Sequence, residues 1–204
     1  IIRRELRLLG FKPGFSIFDA EDARSLLRAL MLESANADSD LDPVEAVQQQ
    51  ISQWKNDLVT PTQALSTAAD ASGQRAALVY ARYGTALKAY NAVDFDDLIL
   101  IPVRLLSDHA EVLERWQQRI RYLLVDEYQD TNLAQYQLVK LLARGRDNLT
   151  AVGDDAQSIY AWRGARPENL LALQTDFPDL EVIKLEQNYR STKRILRAAN
   201  QLIA

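Results

Sequence analysis

The sequence is poor in the residues that most often bind metals or form cross-links. Its 204 residues include no cysteine and one histidine, so disulfide bonds, thiolate zinc sites and clusters of histidine ligands are excluded. The absence of cysteine fits a reducing compartment, and we expect a cytoplasmic protein. Methionine occurs only at position 31 and the chain begins at Ile1, which leads us to expect a piece of a longer protein.

Long apolar segments and excess basic charge are also lacking. The longest strongly apolar run, 98–103, is far shorter than the roughly 20 residues of a membrane-spanning helix, and we expect no membrane association and no secretory signal. The net charge of −4 argues against a purely electrostatic nucleic-acid binder, although a narrow binding track stays compatible with it. With 48% hydrophobic and 25% charged residues, the chain has the composition of one large or two small globular domains.

The first half of the chain shows helical periodicity. Apolar side chains recur every three or four positions in three stretches, which predicts amphipathic helices whose apolar faces form a hydrophobic core. Residues 57–62 read as a polar connector between two of them. The three stripes consist of Ala23, Leu26, Leu27, Leu30 and Met31; Val44, Val47, Ile51 and Trp54; and Tyr80, Tyr83, Leu87 and Tyr90.

The second half changes character near Asp94. Short apolar runs at 122–125, 149–152 and 180–185 alternate with helical patterns. Continuous apolar strands are typical of a parallel sheet that is covered on both faces, and strand–helix–strand alternation predicts an α/β fold. Ligands of such sheets bind beyond the carboxyl ends of the strands, so the polar residues after each run are the candidate site.

Two acidic residues, Asp126 and Glu127, follow the first run. Carboxylates at the end of a buried strand are costly unless a cation or hydrogen bonds neutralise them. A magnesium–nucleotide complex would do so, because one carboxylate can hold the hydrated metal while its neighbour positions or deprotonates the attacking water. A solvated acidic turn is the alternative interpretation of this pattern.

The later runs add further candidates. Gln157 can offer a hydrogen-bond donor and an acceptor to a phosphate or to a water molecule. Tyr160, Trp162 and Arg163 have the composition of a stacking site for single-stranded nucleic acid, although aromatic residues more often belong to a core or an interface. Arg190 is either a surface arginine or an arginine finger that stabilises charge on a transferred phosphoryl group.

Longer segments around these residues resemble motifs of a known family. Residues 126–132 read Asp-Glu-Tyr-Gln-Asp-Thr-Asn, residues 153–165 contain Gly-Asp-Asp-Ala-Gln-Ser-Ile-Tyr-Ala-Trp-Arg-Gly-Ala, and residues 185–191 read Leu-Glu-Gln-Asn-Tyr-Arg-Ser. In this order they resemble motifs II, III and IV of the UvrD/Rep/PcrA superfamily 1A DNA helicases. Residues 93–98 resemble the family motif just before them. The resemblance covers essentially the whole chain, and residues 54–58 and 120–124 look most similar to the Rep branch.

The resemblance implies an ATP-driven motor that moves 3′ to 5′ on single-stranded DNA and unwinds duplex DNA in replication restart or repair. The implied fold is part of a RecA-like P-loop NTPase parallel sheet with an all-helical 1B subdomain. Residues 1–92 would form 1B, residues 93–180 the C-terminal part of domain 1A, and residues 181–204 the start of domain 2A. The implied partners are single-stranded DNA, junctions of single- and double-stranded DNA, and replication or repair proteins.

The resemblance also assigns roles by motif position. Asp126 would hold Mg²⁺ and Glu127 would activate water for ATP hydrolysis. Gln157 would sense the γ-phosphate of ATP, and Arg190 would contact that phosphate from the second motor domain. The residues implied in DNA binding are Tyr160, Trp162 and Arg163.

The sequence departs from the family pattern at two points. Ala156 stands where the family commonly has an acidic residue, which affects local hydrogen bonding. No P-loop of the form Gly-x-x-x-x-Gly-Lys-[Ser/Thr] is present, because none of the seven glycines precedes a lysine. We therefore expect the isolated chain to hydrolyse no ATP. We also expect its incomplete sheet to expose an edge that favours self-association.

Two other interpretations stay open. The chain could be the motor part of a helicase–nuclease subunit, which the length of the whole protein would decide. It could also be a nucleotide-independent module for DNA binding or protein interaction that kept the fold. The presence of all four phosphate-site residues, Asp126, Glu127, Gln157 and Arg190, argues against the second.

Overall fold

The computed structural model describes residues 1–34 and 43–203, except for the side chains of Ser34, Arg163 and Ile203. It contains helices and two small parallel sheets, in agreement with the predicted α/β class. The elements of the first half are α1 (Leu6–Leu9), β1 (Ser16–Phe18), α2 (Ala20–Ser34), α3 (Val44–Asn56), α4 (Pro61–Thr67), α5 (Ala71–Ala89) and β2 (Ala92–Asp94). Those of the second half are α6 (Asp97–Asp108), α7 (Ala110–Arg119), β3 (Leu123–Val125), α8 (Leu133–Ala143), β4 (Leu149–Ala151), α9 (Glu168–Asp176) and α10 (Lys193–Ile203).

Helices α2, α3 and α5 pack around one hydrophobic core. The three predicted stripes provide most of its residues, so the helical interpretation of the first half is confirmed. The rings of Trp54 and Tyr80 stack with their centres 5.8 Å apart, which joins α3 to α5. Tyr90 is the exception, because it follows the last turn of α5 and is 64% exposed.

Helix α4 was not predicted. The sequence pattern predicts a polar connector over residues 57–62, but the helix begins at Pro61. Thr60 and Gln63 form a reciprocal cap: the Gln63 backbone N–H donates to Thr60 Oγ1 at 3.2 Å, and the Thr60 N–H donates to Gln63 Oε1 at 2.9 Å. Because these bonds satisfy N–H groups at the helix start, a Thr-Pro-x-Gln segment begins a helix here.

Strand β1 was not predicted either. It pairs in parallel with β2, with Ile17 opposite Val93, so the helices α2 to α5 are inserted between two neighbouring strands. The residues before β1 pack on the second half. Ile1 and Leu9 contact the core between α6, α7 and α8, and Glu5 accepts a hydrogen bond from the indole of Trp116 at 3.0 Å. The first nine residues therefore lie against the second half of the chain.

Strands β3 and β4 form the second parallel pair, as the first two apolar runs predict. Leu123 lies opposite Leu149, and helix α8 provides the connection between the strands. Helices α8 and α9 cover one face of this sheet with a core that includes Tyr128, Tyr136 and Phe177. The prediction that both faces are covered is wrong for the part of the chain that the structure describes, because Leu124 in the middle of β3 is 73% exposed.

The third apolar run forms no strand. Residues 180–185 have no regular secondary structure. Leu180 is half-buried against the core that α8 and α9 form, but Ile183 and Leu185 are 72% and 85% exposed. A strand needs a neighbouring backbone to satisfy its N–H and C=O groups, and within residues 1–34 and 43–203 no segment pairs with this run. Helix α10 follows at Lys193, as its helical pattern predicts. None of the helices in the described ranges is both long and apolar enough to cross a lipid bilayer.

Candidate functional site

Two backbone hydrogen bonds bring the candidate segments together at the carboxyl edge of the second sheet. The N–H of Val152 donates to the carbonyl of Val125 at 2.8 Å, and the N–H of Tyr128 donates to the carbonyl of Val152 at 2.9 Å. They extend the strand pairing by one residue beyond β3 and β4. The turn after β3 and the loop after β4 therefore lie side by side, as expected for parallel strands.

The turn after β3 presents both predicted carboxylates to solvent. Asp126 and Glu127 are exposed, and Asp126 Oδ1 accepts a hydrogen bond from the Glu127 N–H at 2.9 Å. Glu127 has a φ of 51°, in the left-handed region that a residue with a side chain rarely adopts. Such strain persists only where surrounding interactions maintain it, and it is common at functional sites.

A buried glutamine connects the two segments, although no sequence pattern predicts its role. Gln129 is 1% exposed. Its Nε2 donates to Glu127 Oε2 at 2.8 Å, and its Oε1 accepts from the backbone N–H of Asp154 at 3.0 Å. The Asp154 carboxylate in turn accepts from Gln157 Nε2 at 2.7 Å. Glu127 and Gln157 are thus joined through Gln129 and Asp154, so the structure brings these two predicted site residues into one network.

Gly153 allows this close approach. An added Cβ would lie 2.8 Å from Gln129 Oε1 and 3.3 Å from Leu170 Cδ2. The first separation is too short for any real Cβ contact, so a side chain at position 153 would displace the amide of Gln129. The glycine is required by packing against Gln129, since its φ is not in the left-handed region.

The end of helix α3 is tied to the same edge of the sheet. Asn132 starts helix α8 with a capping box, and its Nδ2 donates to Asn56 Oδ1 at 2.8 Å. Arg166 forms an ion pair with Asp57 at 2.6 Å. Asn169 is buried and donates to the carbonyl of Thr131 at 2.9 Å. These contacts set the position of the helical part relative to the loop after β4.

A cleft of about 1090 Å³ separates helices α2 and α3 from that loop. Tyr160, Trp162 and Phe95 line it and are 38%, 68% and 60% exposed. Exposed rings that line a cleft can stack on the bases of a single strand. The side chain of Arg163 lies outside the described part of the chain, so the structure does not test its predicted role.

A buried charge cluster lies beside the cleft. Lys55 Nζ is 2.7 Å from Asp94 Oδ2 and 2.8 Å from Asp97 Oδ1, and the hydroxyl of Tyr83 donates to Asp94 Oδ2 at 3.0 Å. Burial lowers the pKa of Lys55, but the carboxylates of Asp97 and Asp94 raise it more, and the net direction is upward. Burial and the neighbouring Asp94 also raise the pKa of Tyr83. Through this cluster, the segment 93–98 is therefore joined to helices α3 and α5.

Arg190 stands apart from the other candidates. It is exposed, and its backbone N–H donates to Asn188 Oδ1 at 2.9 Å. Its guanidinium has no hydrogen bond or ion pair with any residue inside the described ranges. The structure thus brings together Asp126, Glu127 and Gln157, and it does not bring Arg190 to them.

The acidic residues do not form a metal site by themselves. Over the residues for which the structure gives positions, no group of three or more acidic or histidine side chains could hold a metal ion. A nucleotide-bound Mg²⁺ would not need such a group, because Mg²⁺ usually takes one or two carboxylates and completes its coordination with phosphate oxygens and water. Asp126 is an exposed carboxylate in a suitable place, at the end of a parallel strand.

A parallel α/β edge with an acidic turn and a glutamine loop, joined to a group of helices, agrees with the arrangement that the helicase resemblance implies. A sequence model of the UvrD/REP helicase N-terminal domain matches residues 1–178. The chain belongs to this family, and the resemblance drawn from its motifs is confirmed.

Individual relatives agree with this assignment. The chain is 55% identical over 204 residues to ATP-dependent DNA helicase Rep of Escherichia coli (strain K12), and 56% identical over 207 residues to Rep of Salmonella typhimurium (strain LT2). It is 46% identical over 203 residues to ATP-dependent DNA helicase PcrA of Staphylococcus aureus (strain Mu50). Each alignment covers all of this chain but only 30%, 30% and 28% of the relative, respectively.

Proposed function

We propose that this chain is the part of an ATP-dependent 3′–5′ DNA helicase that carries the water-activating carboxylate and part of the DNA-binding site. The observation that carries the proposal is the hydrogen-bonded network from Glu127 through Gln129 and Asp154 to Gln157. It joins a carboxylate to a glutamine at the carboxyl edge of two parallel strands. A motor needs such a connection between the reacting phosphate and a loop that reaches the nucleic acid.

The proposed phosphate chemistry divides among four residues. Asp126 holds Mg²⁺, which would neutralise charge on the phosphates, together with phosphate oxygens and water. Glu127 orients the attacking water and accepts its proton. Gln157 donates a hydrogen bond to an oxygen of the γ-phosphate or accepts one from the attacking water, and Arg190 supplies a positive charge to the same phosphate. The exposure of Asp126, Glu127 and Arg190 supports these roles, since each can reach a ligand.

The proposed DNA contacts lie in the loop that continues from Gln157. Tyr160 and Trp162 stack on bases, and Arg163 binds the phosphate backbone or a base plane. Only a few residues separate Gln157 from Trp162, so a shift of Gln157 on ATP binding moves the aromatic rings. The substrates are single-stranded DNA and its junctions with duplex DNA. We place the protein in the cytoplasm and its work in replication restart or repair, with proteins of those processes as partners.

We also propose how the chain divides among the domains of such a helicase. Helices α2 to α5 form subdomain 1B, within the range 1–92. Residues 93–180 belong to domain 1A, and residues 181–204 begin domain 2A. The pairing of β1 with β2 and the packing of residues 1–9 on α6 and α7 support one refinement. By this refinement residues 1–18 belong with domain 1A, and 1B is inserted into that domain.

The test uses an intact helicase, meaning this chain with the remaining segments that its relatives have. It is the native full-length protein, or E. coli Rep with its matching segment replaced by this chain. We expect ATP hydrolysis that single-stranded DNA strongly stimulates and that Glu127→Gln abolishes. Glu114→Gln is the control, because it makes the same change on the exposed face of α7. Absence of hydrolysis with and without DNA would favour a nucleotide-independent binding module instead.

The isolated chain should behave differently. Because its sequence contains no P-loop, it should hydrolyse no ATP, and DNA-stimulated turnover that Glu127→Gln abolishes would contradict this. The exposed Leu124 and Val152 at the second sheet support self-association of the isolated chain. Size-exclusion chromatography with light scattering measures it, and a compact monomer at high concentration would speak against it.

A further inference from the structure

Gln129 occupies a position that polar side chains rarely have. It is 1% exposed, and it lies in a short 3₁₀ helix directly after the two carboxylates. A buried amide is costly unless its donor and acceptor are both satisfied. In Gln129 the Nε2 donates to Glu127 and the Oε1 accepts from Asp154. The two ends of one amide thus contact two different functional segments.

The chemistry of the neighbours determines the orientation of this amide. The Glu127 carboxylate can only accept and the Asp154 backbone N–H can only donate. Rotating the amide by half a turn would oppose two acceptors on one side and two donors on the other. Gln129 therefore has one stable orientation, which holds Glu127 Oε2 at a defined place relative to the loop that carries Gln157.

We propose that Gln129 is a positioning residue for the water-activating carboxylate of Glu127 and couples its position to the loop after β4. The proposal rests on the function proposed above. A general base must lie within hydrogen-bond reach of the water that it deprotonates. Glu127 is exposed and follows directly after β3, so its carboxylate needs a partner to keep one orientation. Movement of Asp154 shifts Gln129, and Gln129 transmits the shift to Glu127.

The test compares two substitutions in the intact helicase. Gln129→Glu keeps the shape and the acceptor for Asp154 but replaces the donor to Glu127 with a second carboxylate. Gln129→Met keeps the length and removes both hydrogen bonds. Gln118→Glu is the matched control, because Gln118 is exposed and donates to the carboxylate of Glu114 at 3.2 Å, outside the hydrogen-bonded network of the site.

Steady-state hydrolysis in saturating single-stranded DNA gives the main readout. For both variants we expect kcat to fall about 10- to 100-fold, the range for small misplacement of a catalytic group, with the KM for ATP within about twofold of the unsubstituted protein because Gln129 is buried and acts through Glu127. Gln118→Glu should change neither constant.

Hydrogen exchange provides a second measurement, which needs no nucleotide. In Gln129→Met the backbone N–H of Asp154 loses its acceptor, so hydrogen exchange of the peptide that contains it should accelerate. In Gln129→Glu the acceptor remains and exchange should stay near that of the unsubstituted protein. Thermal unfolding of both variants checks that they are folded.

The results distinguish failure of the positioning role from failure of the proposed function. Unchanged kcat in Gln129→Glu and Gln129→Met, in a protein that hydrolyses ATP, would overturn the positioning role and leave the proposed function standing. A fall in kcat with an equal rise in the KM for ATP would mean general structural damage and would also overturn it. If the unsubstituted intact protein hydrolyses no ATP, the proposed function fails, and the role of Gln129 fails with it.

Discussion

The ammonium group of Lys55 lies 2.7 Å from the carboxylate of Asp94, and both side chains are almost fully buried. The pair joins helix α3 to the end of strand β2, across 39 residues of sequence. Asp97 completes the cluster at 2.8 Å from the same ammonium. Because α3 is also joined to the start of α8, through Asn56 and Asn132, this buried cluster positions one wall of the cleft.

Lys55→Met should destabilise the protein strongly. It leaves Asp94 and Asp97 as buried carboxylates without a cation, and breaking a buried ion pair from one side typically costs about 3–5 kcal/mol. Urea denaturation of the intact helicase, followed by circular dichroism, measures the loss. Lys184→Met is the control, since Lys184 is exposed, and its effect should stay within about 0.5 kcal/mol. Equal effects of the two substitutions would contradict the prediction.

Gly153→Ala and Gly84→Ala should have opposite effects on stability. The added methyl at position 153 would lie 2.8 Å from Gln129 Oε1, whereas at position 84 nothing lies within 4 Å. Overpacking costs about 1–3 kcal/mol, while alanine in place of glycine within helix α5 gains about 1 kcal/mol. Gly153→Ala should also reduce kcat for ATP hydrolysis by displacing Gln129. Thermal unfolding and hydrolysis assays check both, and a neutral Gly153→Ala would show that Gln129 can move freely.

Asp176 should contribute stability that depends on pH. Burial raises the pKa of its carboxyl, but hydrogen bonds from Lys140 at 2.5 Å and from Tyr136 outweigh burial, so the pKa lies below the ordinary value of 3.8. The stabilisation is therefore complete above about pH 3.8 and disappears as the pH falls through the folded-state pKa. These bonds connect helix α9 to α8 over the covered face of the sheet.

Asp176→Asn measures this contribution. At pH 7 the substitution should lower the free energy of unfolding by about 1.5–3 kcal/mol, the usual range for hydrogen bonds to a charged group. The difference from the unsubstituted protein should shrink only when urea titrations are carried below about pH 4. Asp179→Asn, at an exposed site nearby, should have little effect at any pH. A difference for Asp176→Asn that stays constant from neutral to strongly acidic pH would refute the linkage.

Trp162→Ala should weaken binding of single-stranded DNA by the intact helicase. The ring is 68% exposed at the cleft, and the loss of one stacked base costs about 1–3 kcal/mol. Since the ring is largely in solvent, thermal stability should hardly change. Tyr90→Ala removes an equally exposed ring, 64% exposed, that does not line the cleft, and its DNA affinity should remain unchanged. Fluorescence anisotropy with a labelled oligonucleotide compares them, and equal affinities of the two variants would remove Trp162 from the site.

Part of this fold could be read from local pattern. The apolar stripes of α2, α3 and α5 predict their own buried faces, because a helix satisfies its hydrogen bonds within one segment. Local pattern also predicts the strands at 122–125 and 149–152, because each is a short apolar run that polar residues end. The run at 180–185 has the same apolar character, yet it forms no strand because no described segment supplies a partner backbone.

The candidate site likewise contains residues that the sequence predicts and one residue that it does not. Asp126, Glu127 and Gln157 stand out in the sequence because each follows closely after an apolar run, where the end of a parallel strand places polar groups beside a ligand. Gln129 lies between Glu127 and Asp130 with no feature that predicts burial. Its role depends on the tertiary structure, which brings the loop after β4 beside the turn after β3 and packs Gly153 against the Gln129 amide.

The sequence by itself determined the helical faces, the α/β alternation and, through its motifs, the helicase family. Only the tertiary structure decided that β1 pairs with β2, that Lys55 is neutralised by Asp94 and Asp97, and that Gln129 joins Glu127 to the loop of Gln157. The physical reason is the range of the interactions. Helical periodicity acts between residues three or four positions apart, whereas strand pairing and burial of polar groups depend on segments that lie far apart in the chain.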